Sequence, residues 1–134
     1  FTDGEKVKGQ CLLRSSVDSS KDALAQKMAA IFELAGANIN FTGGYPGWKP
    51  NPNSAILKVM QDVYNKKFGK VPEIKAIHAG LECGLLGGVY PNWDMISFGP
   101  TIRHPHSPDE KVNIATVQKF WDFLVETLKN IPKK

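Results

Sequence analysis

Three shortages in the sequence each remove a class of protein. There are only two cysteines among 134 residues, Cys11 and Cys83, far apart and forming no CxxC pair. A disulfide framework is therefore not the organising device, and two buried or half-buried thiols in a reducing compartment are expected. No apolar run approaches the roughly 18 residues that a membrane-spanning helix requires. Charge of one sign is also scarce: 17 Lys and Arg stand against 13 Asp and Glu, a net charge of +4. No basic run is longer than Lys66-Lys67 or Lys133-Lys134, so nucleic-acid binding is not expected. Internal repeats and low-complexity tracts are missing, as are HExxH and a Ser-His-Asp order. The chain starts at Phe1 without Met or a signal peptide, as a piece of a longer protein would.

What is present is enough apolar material for a core: 42% of residues are apolar and 22% charged, with aliphatic and aromatic residues recurring at regular intervals. Gln10 to Val17 (QCLLRSSV) reads as a strand. Ser19 follows as a helix N-cap with Asp22 in capping-box position, then Leu24, Met28, Ile31 and Ala35 at helical spacing, and Gly36 as the stop. Ile39 and Phe41 alternate with polar residues as a half-buried strand. Residues 43 to 53 (GGYPGWKPNPN) are too rich in Pro and Gly for a regular element and mark a boundary between structural units.

Beyond that boundary a helix is expected from Ser54 to Phe68, with Ile56, Val59, Met60, Val63 and Tyr64 on one face and Gly69 as stop. Short strands are expected at 74 to 77 and 95 to 98. A last helix is expected with Ser107 as N-cap, Pro108 at N1 and Glu110 at N3, burying Val117, Phe120, Trp121, Leu124 and Leu128. Alternating strands and helices give an α/β fold, with parallel pairs expected in the second unit.

Chemistry concentrates in three places. In GPTIRHPHSPDE (99 to 110), His104 and His106 are spaced to face a pocket or a metal ion, or to be plain solvated loop residues. In HAGLECG (78 to 84), the glycines could turn backbone N–H groups toward an anion or carbonyl oxygen. There, Glu82 is a base, a ligand, a substrate-amine acceptor or simply an exposed residue at a helix start. Arg14 can project a bidentate fork at a carboxylate, or sit on the polar face of a sheet. With three histidines in all, and three or four donors needed for zinc, the sequence offers part of a metal site.

HAGLECGLL (78 to 86) followed by FGPTIRHPHSPDEKV (98 to 112) resembles the C-terminal portion of bacterial aminoacyl-histidine (Xaa-His) dipeptidases, also called β-alanyl-histidine dipeptidases or carnosinases. These are members of the di-zinc metallopeptidase superfamily that includes carboxypeptidase G and aminoacylase. RSSVDSS (14 to 20) and YPGWKPNPNS (45 to 54) fit the same group. The resemblance implies the second half of a ferredoxin-like lid over residues 1–48, joined to the C-terminal part of a catalytic α/β domain over 49–134. It implies that His106 ligates one zinc ion, that Arg14 holds the substrate's C-terminal carboxylate, and that Gly80, with Glu82 a weaker neighbour, contacts substrate. It further implies two zinc ions, a small dipeptide substrate, a cytoplasmic setting and a homodimer in the parent. The other ligands and the general base would lie upstream, leaving the chain inactive alone. Two alternatives belong to other classes: a non-catalytic module that associates with itself, and a small metal-binding protein using His104, His106 and Glu82 or Asp109.

Overall fold

A computed structural model describes residues 2–4, 6–77 and 82–131. The chain divides into two compact units, Phe1–Pro50 with Ile77–Val89, and Asn51–Ala76 with Tyr90–Lys134. It contains four helices and two small ladders among the described residues, compatible with an α/β class. Both ladders are antiparallel pairs of two-residue strands. The parallel pairing expected from the alternation of strands and helices does not occur among the described residues. Among the described residues no helix is long and apolar enough to cross a membrane.

In the first unit, β1 (Thr2–Asp3) pairs with β2 (Lys6–Val7), and α1 runs Asp18–Leu34. The segments expected as strands around Arg14 and Ile39 are irregular. A strand exists only where another backbone supplies its hydrogen bonds, and no described segment pairs with either. Helix α1 begins two residues earlier than the Ser19 cap predicts. Val17 stands at N-cap without a side-chain bond. Asp18 is fixed instead by one tertiary and one local bond: its Oδ1 accepts the Gly47 N–H at 2.9 Å and a Lys21 Nζ proton at 2.8 Å.

The far end of α1 follows the sequence. Gly36 has φ of 76°, its N–H donates to Glu33 O at 2.9 Å, and Ala37 N–H donates to Phe32 O at 3.0 Å. That pair of bonds is a Schellman cap, which needs a residue tolerant of the left-handed region. The apolar stripe of α1 is not covered, with Ile31 67% exposed and no residue of the helix buried. Cys11 is exposed, against expectation, on an irregular segment outside any helix or strand; Cys83 is half-buried.

Helix α3 (Glu82–Val89) occupies the glycine-rich stretch that reads as a turn. Each helical glycine costs about 1 kcal/mol relative to alanine, and here close packing explains their use. A Cβ on Gly84 would lie 2.8 Å from Pro46 O, and one on Gly88 3.1 Å from Pro46 Cγ. A Cβ on Gly47 would lie 2.8 Å from Ser15 O and Ser16 O. Lys21 Nζ ties the same loop by donating to Tyr45 O at 2.7 Å. Residues 15–18, the 45–47 loop and α3 thus meet backbone to backbone.

In the second unit, α2 (Ala55–Phe68) packs on α4 (Ile114–Asn130). The start and stop of α2 are those the sequence indicates. Ser54 Oγ accepts the Leu57 N–H at 3.0 Å, and Gly69 closes the helix with φ of 66°. Met60, Val63 and Phe123 form the buried cluster, with Ile56, Val59, Tyr64, Phe68 and Ile96 packed against it. Removing each such side chain from water stabilises by about 1.5–3 kcal/mol. Phe123 meets Tyr64 edge-on at 5.2 Å and Phe98 at 5.4 Å between ring centroids.

The buried side of α4 is Phe123 and Thr127, with Phe120 and Leu124 half-buried, while Val117, Trp121 and Leu128 are exposed. The expected stripe is therefore rotated by about one residue, because α2 takes the face centred on Phe123. Residues 74–77 and 95–98 pair with no strand among the described residues and are irregular.

Candidate functional site

The segment 99–113, expected to lead directly into the last helix, forms a hairpin instead. Strand β3 (Ile102–Arg103) pairs with β4 (Lys111–Val112) in the register Ile102 with Val112 and Arg103 with Lys111. The helix after it starts at Asn113, whose Oδ1 accepts the Ala115 N–H at 3.1 Å. Asn113 N–H also donates to Thr101 O at 2.9 Å, and Thr101 N–H donates to Thr116 Oγ1 at 2.9 Å. The hairpin base is thereby fastened to the first turn of α4.

Ser107 does not cap α4; it organises the hairpin tip. Its Oγ accepts the Asp109 N–H at 3.2 Å, its carbonyl accepts the Glu110 N–H at 2.9 Å, and its own N–H donates to His104 O at 3.2 Å. The Ser-Pro-Asp-Glu string that reads as a helix start is satisfied equally by a serine-centred turn. At this tip His104 and His106 are the two non-glycine residues with positive φ among those described, at 53° and 65°. The His106 N–H donates to Glu110 Oε2 at 2.7 Å. Both imidazoles are exposed.

Arg14 and Glu82 lie in the first unit. Arg14 is exposed in an irregular segment, and no hydrogen bond or ion pair engages its guanidinium among the described residues. Glu82 is exposed in the first turn of α3, where a carboxylate is favoured by the helix N-terminus. Beside it, partial burial raises the Cys83 thiol pKa, and the charge of Glu82 raises it further. Gly80 and His78 lie outside the described residues.

Among the described residues no group of three or more His, Cys, Asp or Glu side chains is placed to hold a metal ion. The His106 imidazole, exposed and without a partner there, fits zinc as a single donor. The other two or three donors that zinc needs would have to come from elsewhere. A groove of about 270 Å³ in the second unit is lined by Tyr64, Phe98, Phe120 and Phe123 with Lys119 at its side. Lys119 Nζ already donates to Tyr64 Oη at 2.6 Å and stands over the Tyr64 and Phe68 rings, so its charge serves packing. Two carboxylates have tasks not expected from the sequence: Glu110, expected at N3 of the last helix, accepts the His106 N–H, and Asp94, far along the chain, accepts the Ile56 N–H at the start of α2. Only the four-residue spacing from His106 hints at the first.

With the geometry in hand, the chain is a homologue of dipeptidases. It is 48% identical over 128 residues to the cytosol non-specific dipeptidase of Escherichia coli K12, an overlap of 96% of this chain and 26% of that protein. It also superposes on the crystal structure of aminoacylhistidine dipeptidase from Vibrio alginolyticus with a TM-score of 0.75 and 53% identity, covering 90% of this chain and 24% of that one. The chain thus spans about a quarter of the length of these relatives. No family model matches it.

Proposed function

We propose that this chain is the C-terminal quarter of a zinc-dependent dipeptidase that hydrolyses Xaa-His dipeptides of the carnosine type in the cytoplasm. The observation that carries this reading is the 48% identity to a dipeptidase across 128 of the 134 residues, supported by the TM-score of 0.75 to a second one. In this reading residues 1–48 complete a ferredoxin-like lid, and residues 49–134 complete the catalytic α/β domain of a homodimeric parent.

The chemistry that two bound zinc ions supply is activation of water. The residues of this chain bind and orient. Arg14, with a guanidinium free of partners among the described residues, takes the dipeptide carboxylate as a two-pronged donor. His106 donates one nitrogen to a metal ion. Gly80 and Glu82 contact the substrate. A lone donor cannot hold zinc, so the 134-residue chain is inactive by itself.

The test uses the full-length parent. His106→Ala is expected to lower zinc content and abolish hydrolysis of L-carnosine and other Xaa-His dipeptides. Arg14→Lys is expected to raise KM with a smaller change in kcat, since lysine keeps the charge and loses the fork. Retained hydrolysis with normal zinc content in His106→Ala overturns the ligand assignment. A second reading, self-association of the chain as a non-catalytic module, draws on the uncovered apolar residues of α1 such as Ile31 and Leu34. Sedimentation of the isolated chain as a monomer at high concentration removes it.

A further inference from the structure

We propose that Glu110 is the positioning residue for His106, fixing the direction of its imidazole through the backbone. Three observations on the hairpin tip carry this. His106 sits in the left-handed region, φ 65°, which side chains other than glycine rarely adopt and which persists only where surrounding bonds determine it. The bond that does so is the one from His106 N–H to Glu110 Oε2, at 2.7 Å a short, charge-assisted contact. Three neighbouring acceptors of the tip are already engaged: Ser107 Oγ by Asp109, the Ser107 carbonyl by Glu110 itself, and the His104 carbonyl by Ser107.

Glu110 is therefore held at its backbone by Ser107 while its carboxylate holds the backbone of His106, closing a ring over residues 106–110. In metal sites a ligating imidazole is ordinarily aimed by a partner on its second ring nitrogen. The His106 ring has no such partner among the described residues, so more of the aiming falls to the backbone: φ sets where the Cα–Cβ bond leaves the tip, and the ring turns about that fixed bond. The acceptor on the N–H takes over the work of a ring partner. What Glu110 contributes is an oxygen within reach of one N–H, and a neutral amide oxygen at the same length can do the same.

This inference rests on the reading of His106 as a zinc ligand, and the experiment separates the two. The full-length parent and its His106→Ala, Glu110→Ala, Glu110→Met and Glu110→Gln variants are stripped of metal, reloaded with zinc alone and titrated against a chromophoric chelator. Glu110→Ala and Glu110→Met, which lack an acceptor oxygen, are expected to bind zinc about tenfold or more weakly, in the range seen when metal-site orienting groups are removed. Glu110→Gln is expected to stay within about threefold of the parent, a rescue that turns on the acceptor. The methionine variant keeps the side-chain length, so the comparison survives if the alanine variant does not fold. Loss of affinity in His106→Ala with none in Glu110→Ala and Glu110→Met overturns the positioning role alone, as does a glutamine variant as weak as the methionine one. Unchanged affinity in His106→Ala overturns the ligand reading and this inference with it.

Discussion

The carboxylate of Asp94 completes the helix cap that Ser54 begins. Ser54 Oγ accepts the Leu57 N–H at 3.0 Å, and Asp94 Oδ2 accepts the Ile56 N–H at 3.1 Å from 38 residues away. The Ser54 hydroxyl and the Ala55 N–H turn toward the same carboxylate. One side chain from a distant loop thus shares with the local cap the donors that the first turn of any helix leaves without partners.

Replacing Asp94 with alanine is expected to cost the second unit about 1 kcal/mol, the usual worth of an N-terminal cap, read as a lower urea midpoint. The effect should depend on pH. The Ser54 hydroxyl lowers the Asp94 pKa most; partial desolvation opposes it, and the Ile56 and Ala55 N–H groups lower it further. A carboxylate with a depressed folded pKa takes up protons less readily in the folded state. Its stabilisation is present above the ordinary carboxylate pKa and is lost as pH falls through the depressed value. The difference between parent and Asp94→Ala should accordingly shrink in acid; a difference constant down to the acid transition would contradict the cap.

The backbone junction of the first unit predicts a contrast among glycines. Gly47→Ala and Gly84→Ala each push a methyl to 2.8 Å from backbone atoms, and overpacking of that kind costs about 1–3 kcal/mol. Gly44→Ala, where a Cβ meets nothing within 4 Å, should be close to neutral. Circular dichroism melts of the three variants side by side would show it, and equal effects at all three positions would remove the junction as the cause.

Phe123 is the aromatic centre of the second unit, in contact with the rings of Tyr64, Phe68 and Phe98. Phe123→Ala is expected to cost about 3–5 kcal/mol, enough to separate α2 from α4. Trp121, on the exposed side of the same helix at 57% exposure, should tolerate alanine with a far smaller shift in the denaturation midpoint.

Thr127 offers a gain. It is buried, and its Oγ1 has no hydrogen-bond partner among the described residues. Valine has nearly the same shape and removes a desolvated hydroxyl, so Thr127→Val is expected to stabilise the second unit by about 1 kcal/mol. A melting temperature below that of the parent would mean that the hydroxyl is satisfied after all.

What the sequence reveals about this fold divides by the range of the interaction. The Ser54 cap, the Gly69 stop and the Gly36 Schellman end depend on neighbours within a few residues, and each is legible in the string. The irregular course of the segment around Arg14 is not, because whether an apolar stretch becomes a strand depends on a partner backbone that a local pattern cannot reveal. Ser107 shows a different limit. Its Ser-Pro-Asp-Glu string satisfies both a helix cap and a turn, and hairpin pairing between Ile102 and Val112 decides for the turn. Of the candidate site, His106 and Arg14 were legible as residues, while Glu110 as the acceptor for His106 depended on a loop shape that no periodicity announces. Asp94 lies too far from α2 in sequence for its part in the cap to be guessed.

Helix α1 spans seventeen residues and buries none of them. Its amides are hydrogen-bonded, yet the packing on it is limited to half-buried positions such as Met28 and Ala29 and to the Asp18 and Lys21 bonds to the 45–47 loop. In deuterated buffer the isolated chain should therefore exchange α1 amide by amide from the ends inward, on the timescale of helix fraying, whereas those flanking Met60 and Phe123 should exchange as one cooperative block. One chain would then carry two isotope clocks, and the faster would slow wherever another surface came to lie along α1.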